Sequence, residues 1–239
     1  MRIHQFYLVS TPIGNLGDLP ARAVEILGSV DAILAEDTRT ARVLLDRYGI
    51  ATPMRPYHDH NKERVTPLIL RELAEGKRFA LVADAGTPLI SDPGYYIVRK
   101  LIEERIEITC IPGPSAVTAA LVLSGLPPDR FTFFGYMPRK PGERARAIGE
   151  AADNPYTSIF FESPHRLLST LDALADGLGE REVVVARELT KLHEEVARGT
   201  AAGLRERFGS SPVRGEIVIL VRGAGRRRKT ADGNAGAGG

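Results

Sequence analysis

Apolar residues in this chain fall into short unbroken runs separated by stretches with helical spacing. Residues 5–10 alternate and are rich in Tyr, Leu and Val, which predicts a first strand. Residues 31–35, 79–83 and 106–111 are nearly continuous apolar runs, the pattern of central parallel strands. Between them, Ala23, Ile26 and Leu27 share one helical face. Residues 38–48, capped by Thr38, and residues 62–75 and 95–104 read as amphipathic helices, and residues 116–123 as an apolar one. Strands and helices that alternate in this way predict an α/β fold: a mainly parallel sheet with helices on both faces and its strand-following loops on one edge.

The rhythm changes after Ser124-Gly125-Leu126-Pro127-Pro128. An aromatic-rich strand over 131–137 precedes a basic, exposed helix over 140–152. A strand over 158–161 leads to a helix over 166–175, with Ser163 as cap and Pro164 in its first turn. Strands over 182–187, 194–198 and 216–221 complete a second sheet. This predicts two α/β domains, residues 1–125 and 126–222, with a ligand site in the cleft between them. Residues 223–239 bury almost nothing and read as a disordered basic, Gly-rich tail, in which Arg226–Lys229 would meet phosphates or only solvent.

Composition narrows the class. No apolar run approaches the roughly 18 residues of a membrane helix, and the first residues lack the apolar core of a signal peptide, so a cytoplasmic enzyme with no membrane partner is expected. The 32 Lys and Arg against 30 Asp and Glu leave a net charge of +2, which permits an anionic partner without establishing one. Cys110 is the single cysteine; it excludes an internal disulfide and reads as a buried, inert thiol in its strand.

The chemistry concentrates in residues 81–94, Leu-Val-Ala-Asp-Ala-Gly-Thr-Pro-Leu-Ile-Ser-Asp-Pro-Gly. Two glycines and two prolines after Asp84 force a tight turn at a strand's carboxyl end, where open α/β sheets collect ligands. Gly86 lets backbone approach a ligand, and Asp84 offers acceptors. The plain alternative is a βα loop with Ser91 or Asp92 capping a helix from Pro93. No Gly-x-Gly-x-x-Gly or Walker sequence supplies a phosphate cradle. His58 and His60 lack further ligands nearby, so no metal is expected. Ser115, after Pro112-Gly113-Pro114, sits outside any Gly-x-Ser-x-Gly and reads as a cap or ligand contact. Glu36-Asp37 at a strand end would hold cationic or hydroxyl groups, or favour the following helix dipole. Loops that expose backbone amides and carbonyls suit a zwitterionic, adenosine-containing ligand better than a polyphosphate.

Six segments in order resemble the tetrapyrrole methylase superfamily over nearly the whole chain to about Arg222. They are Leu8–Leu19 with its Ser-Thr-Pro-Ile-Gly-Asn, Ala35-Glu36-Asp37-Thr38-Arg39, Asp84–Gly94, Ile111-Pro112-Gly113-Pro114-Ser115-Ala116, Phe160-Phe161-Glu162-Ser163-Pro164-His165-Arg166, and Ala186-Arg187-Glu188-Leu189-Thr190-Lys191-Leu192-His193-Glu194-Glu195. Within the superfamily the chain is most similar to the branch that methylates a cytidine ribose 2′-hydroxyl in the decoding region of 16S rRNA. The resemblance implies two α/β domains, S-adenosylmethionine folded in the interdomain cleft, a homodimer, and the small ribosomal subunit as partner. It implies cofactor contacts at Pro12, Asp84, Ala85, Gly86, Leu89, Ser115, Ala116 and Met137, with Phe161, Ala186 and Gly215 on the adenine side. Asp84-Ala85-Gly86 departs from the Gly-Asp-Pro turn of the corrin and haem branch.

For the hydroxyl proton it leaves three acceptors open: Asp37, Glu162, or Lys191 with a lowered pKa. RNA would be held by Arg39, Arg42, Arg139, Lys140, Arg144, Arg187 and Lys191, with Tyr57 or Phe134 stacked on an unpaired base. Two rivals stand beside this reading. One is carbon methylation of a tetrapyrrole; the other is a non-catalytic RNA-binding module, which would need a continuous basic stripe.

Overall fold

The computed structural model describes residues 4–225, so the tail beyond and its basic cluster lie outside the described residues. The first sheet is built from β1 (Phe6–Val9), β2 (Ala32–Ala35), β3 (Met54–Pro56), β4 (Phe79–Val82) and β5 (Ile108–Ile111). They run in the order β3-β2-β4-β1-β5, all parallel. Four helices connect these strands: α1 (Ala21–Ser29), α2 (Thr38–Arg47), α3 (Lys62–Ala74) and α4 (Tyr95–Glu103). Their apolar stripes bury both sheet faces. Ile26, Leu27, Leu44 and Leu45 close over Tyr7, Val9 and Ile33 on one side. Ile69, Leu73, Ile97 and Leu101 close over Phe6, Leu34 and Leu81 on the other. Strands covered twice must be apolar throughout, which is why the runs are unbroken.

The helix α5 (Ala116–Ser124) leads into a second sheet of β6 (Phe131–Tyr136), β7 (Thr157–Glu162), β8 (Glu182–Arg187), β9 (Glu195–Thr200) and β10 (Ile217–Val221). Its order is β6-β7-β10-β8-β9, with β6 parallel to β7 and every other pair antiparallel. α6 (Pro141–Asp153), α7 (Leu167–Leu178) and α8 (Ala201–Gly209) cover one face. α5 covers the other, where Val117, Ala120 and Leu121 pack with Ile159, Val184 and Leu220. Ile13 and Leu189 join the same cluster, so the loop after β1 is bound to the second sheet by burial.

Local details differ from expectation. α2 is capped by Asp37, whose carboxylate accepts from Arg39 N, and Thr38 is already inside the helix. α4 starts at Tyr95 behind Gly94, and neither Ser91 nor Asp92 caps it. α7 starts at Leu167 without a side-chain cap, which leaves Ser163 outside it. Cys110 is exposed, because β5 is an edge strand. Tyr57 is 1% exposed with its hydroxyl 3.0 Å from Thr66 Oγ1, so it offers no ring to a base. Phe134 is half-buried and stacks on Phe160.

Candidate functional site

The carboxyl ends of β1 and β4 are neighbours, and the loops that leave them cross the sheet in opposite directions. The two loops are locked together: Thr11 N donates to Gly86 O at 2.8 Å and Gly86 N to Thr11 O at 3.1 Å. Facing them is one edge of the second sheet, where β7 and β8 end and β10 begins, with Ile217 paired to both Glu162 and Arg187. Between the two edges lies a cavity of about 460 Å³, within the range of small-molecule sites. The first sheet lines it with Ile13 and residues from Asp84 to Asp92; the second does so with Tyr136, Phe161, Glu162, Leu189 and Gly215–Val218.

Four of the five non-glycine residues with left-handed backbone among the described residues lie in the loops around this cavity. Leu89 (φ 74°) and Ser91 (φ 65°) lie in the 84–94 turn, and Glu188 (φ 52°) and Thr190 (φ 66°) in the loop opposite. Non-glycine residues in the left-handed region cost free energy and persist where the surroundings fix them, which is typical of ligand clamps. Gly215 (φ 88°) completes the clamp, since a Cβ there would meet Glu188 Oε1 at 2.2 Å.

The charged residues that line the cavity are Asp84, Asp92, Glu216 and Glu162, whose side chain is itself shielded; no Lys, Arg or His of the described residues does. Asp37 N donates to Asp84 Oδ1 at 3.2 Å and joins the ends of β2 and β4. Burial, with Glu36 and Asp84 close by, pushes the Asp92 carboxyl up to about 7. Burial and then Asp84 likewise raise Glu36. Burial and the nearby Asp92 and Glu216 raise the Tyr136 phenol.

Of the residues expected at the cofactor, Asp84, Ala85, Gly86, Ser115, Ala116, Phe161 and Gly215 line the cavity. Pro12 is buried and Leu89 packs against the core that includes Leu81 of β4, and neither lines the cavity. Met137 is 1% exposed, with its amide on Phe161 O and its carbonyl on Arg166. Ala186 is sealed beneath the cavity beside Val218. Thr87, Ser91, Asp92, Tyr136 and Glu216 also line the cavity and were not expected there. The Ser-Asp-Pro-Gly sequence was the available signal for Asp92.

The three expected proton acceptors are engaged. Glu162, 3% exposed, takes Ser163 N at 2.6 Å, Thr170 Oγ1 at 2.5 Å and Arg166 Nη2 at 2.5 Å. The Arg39 side chain and backbone hold Asp37 down at about 2. Lys191 Nζ binds Glu188 at 2.8 Å and Glu216 at 3.1 Å. Burial lowers its pKa, but these two carboxylates outweigh that and raise it, contrary to the lowered value expected.

Among the RNA candidates, Arg139 is exposed and makes no ion pair with the described residues, three positions beyond Tyr136. Arg39 is on Asp37, Arg42 on Asp46 and Lys140 on Glu143, all at the surface. Arg144 reaches Ser169 at 3.4 Å. Arg187 is structural: it binds Glu195 and the Arg214 carbonyl.

Two sheets that meet at a strand-end cleft with carboxylates and strained loops define a two-part α/β ligand-binding protein. Residues 5–205 match the model of the tetrapyrrole (corrin/porphyrin) methylases, and the chain belongs to that family. It is 48% identical over 217 residues to a Mesorhizobium japonicum protein named ribosomal RNA small subunit methyltransferase I, covering 90% of this chain and 74% of that one. A Thermotoga maritima protein of the same name is 44% identical over 90% of this chain and 97% of its own. The solved structure of the methyltransferase CobJ superposes with a TM-score of 0.69 over 95% of this chain and 97% of that one, at 19% identity, and so shares the fold.

Methyltransferases of this family use S-adenosylmethionine. The cleft suits that donor. Its sulfonium and ammonium are cations, and the lining offers the Asp84 carboxylate and no opposing cation. Ile13, Phe161, Leu189 and Val218 provide an apolar wall for a purine.

Proposed function

We propose that this protein is an S-adenosylmethionine-dependent rRNA methyltransferase that methylates the ribose 2′-hydroxyl of a cytidine in the decoding region of 16S rRNA. The observation that carries this reading is the 44–48% identity, over 90% of the chain, to proteins named as small-subunit rRNA methyltransferases. The donor would be held by Asp84, Gly86, Ser115, Ala116, Phe161 and Gly215. S-adenosylmethionine supplies a methyl group made electrophilic by its sulfonium, so the chain's task is alignment and removal of one proton. RNA would be gripped at the rim by Arg39, Arg42, Arg139, Lys140 and Arg144, outside the acidic cavity that would repel phosphate. A homodimer in the cytoplasm, with the division into two units at about residue 125, completes the reading.

The test is transfer of labelled methyl from S-adenosylmethionine to small subunits that lack the modification, with digestion of the RNA to nucleosides. Label in 2′-O-methylcytidine is expected. Label in a base, or in an added tetrapyrrole but not in RNA, overturns the assignment. Light scattering should report twice the 26.0 kDa chain mass.

A further inference from the structure

We infer that Asp92 is the group that accepts the ribose hydroxyl proton. The inference rests on the function proposed above and concerns a residue that the expected acceptors do not include. Its first support is position. Asp92 lines the cavity at the end of the strained 84–94 turn, directly after Ser91 with φ 65°. Tyr136 lines the same cavity close enough for Asp92 to perturb its phenol.

The second support is availability. Glu162 spends its oxygens on Thr170, Ser163 and Arg166, Asp37 is held by Arg39, and Lys191 by two glutamates. Asp84 accepts from the Asp37 amide, and Glu216 pairs with Lys191. Among the described residues Asp92 has no hydrogen-bond donor and no cation as partner. A carboxylate in a site with nothing to neutralise it is destabilised until a proton arrives, which is what a general base requires.

The third support is the surrounding charge. Glu36 from the end of β2 and Asp84 from the end of β4 face it, Tyr136 ends β6, and Glu216 precedes β10. Burial is the largest influence on the Asp92 carboxyl, and the negative charges of Glu36 and Asp84 add to it, which keeps its affinity for a proton close to neutral pH. In the step, the hydroxyl proton passes to an Asp92 carboxylate oxygen as the ribose oxygen forms its bond to the methyl carbon. The carbon–sulfur bond breaks with its electron pair left on sulfur. One proton moves, one bond forms and one breaks, with no other reactant.

The experiment compares the wild-type protein with Asp92→Asn and Asp92→Glu in single-turnover methyl transfer to unmodified small subunits from pH 5.5 to 9. Calorimetric titration with S-adenosylmethionine is run beside it. The wild-type rate should rise with pH and level off above about 7. Asp92→Asn should lower the rate by roughly 10²-fold or more and remove that rise, while Asp92→Glu recovers part of the rate. S-adenosylmethionine affinity should change less than about threefold in both, which also reports that they fold. Transfer by Asp92→Asn within threefold of wild type, or with the pH profile intact, overturns the assignment. So does loss of S-adenosylmethionine binding in both variants, since Asp92 would then be a cofactor contact. Wild-type protein that binds S-adenosylmethionine but never methylates RNA overturns the functional reading itself, a result visible before any variant is made.

Discussion

At the scale of single residues, the cleft separates carboxylates that hold the structure from those left for chemistry. Glu162 is the clearest structural case. Its oxygens meet a hydroxyl, an amide and a guanidinium in a pocket where its side chain is fully shielded. Glu162→Gln removes the charge that Arg166 needs and presents an amide group where only acceptors fit. The expected loss is about 3 kcal/mol, read by urea unfolding at pH 7. A loss below about 1 kcal/mol would mean that the carboxylate is not an anchor. The motif around Glu162 was plain in the sequence, yet its role was not. Thr170 is eight positions away on α7, and nothing in a linear pattern says that its hydroxyl returns to Glu162. Lys191 and Glu216, 25 positions apart, show the same limit. The glycine- and proline-rich loops were legible because backbone geometry is written locally. Which acid among several stays unpaired depends on partners brought in by the fold.

At the scale of elements, apolar runs and helical stripes located nine of the ten strands and seven of the eight α-helices among the described residues. The omissions have physical causes. β3 is only Met54-Arg55-Pro56, an edge strand whose proline cannot donate to a ladder, and it shows no periodicity. α8 contains Gly203 and Gly209, which weaken the helical pattern, and it is held by Leu204 and Phe208 against the core. Tertiary burial formed it where propensity did not. The 84–94 turn ends on Gly94 at φ 133°, where a Cβ would meet Leu81 Cδ2 at 2.7 Å and Leu89 Cδ1 at 2.9 Å. Gly94→Ala should therefore cost about 2–4 kcal/mol and displace the turn that carries Asp84 and Asp92. Gly149, inside α6 with nothing within 4 Å of its Cβ position, is the counterpart. Gly149→Ala should add about 0.5–1 kcal/mol. Thermal unfolding of the two variants under one condition checks both signs, and equal melting temperatures would contradict the account.

At the scale of the whole molecule, the carboxylates make opposite contributions to stability as pH changes. Glu72, held near 2 by Arg55 and Lys77, and Asp37, held near 2 by Arg39, bind protons less readily folded than unfolded. Their contribution is complete above the ordinary carboxylate range and is lost as pH falls toward 2. Asp92 runs the other way. Its folded value of about 7 exceeds the usual 3.8, so the folded state binds the proton more tightly. Its contribution is complete below 3.8 and declines until pH passes about 7. The displacement corresponds to at most about 4 kcal/mol, and solvent in the open cleft reduces that to about 2–3 kcal/mol. Asp92→Asn abolishes this cost while keeping the side chain's shape. The variant should therefore be more stable than wild type by about 2 kcal/mol at pH 8, with an advantage that shrinks steadily toward pH 5. Urea unfolding at three pH values between 5 and 8 measures it. A constant difference would mean that Asp92 carries no raised proton affinity in the folded protein. A difference that grows with pH, in a variant that no longer transfers methyl, identifies Asp92 as a residue retained for chemistry at the expense of stability.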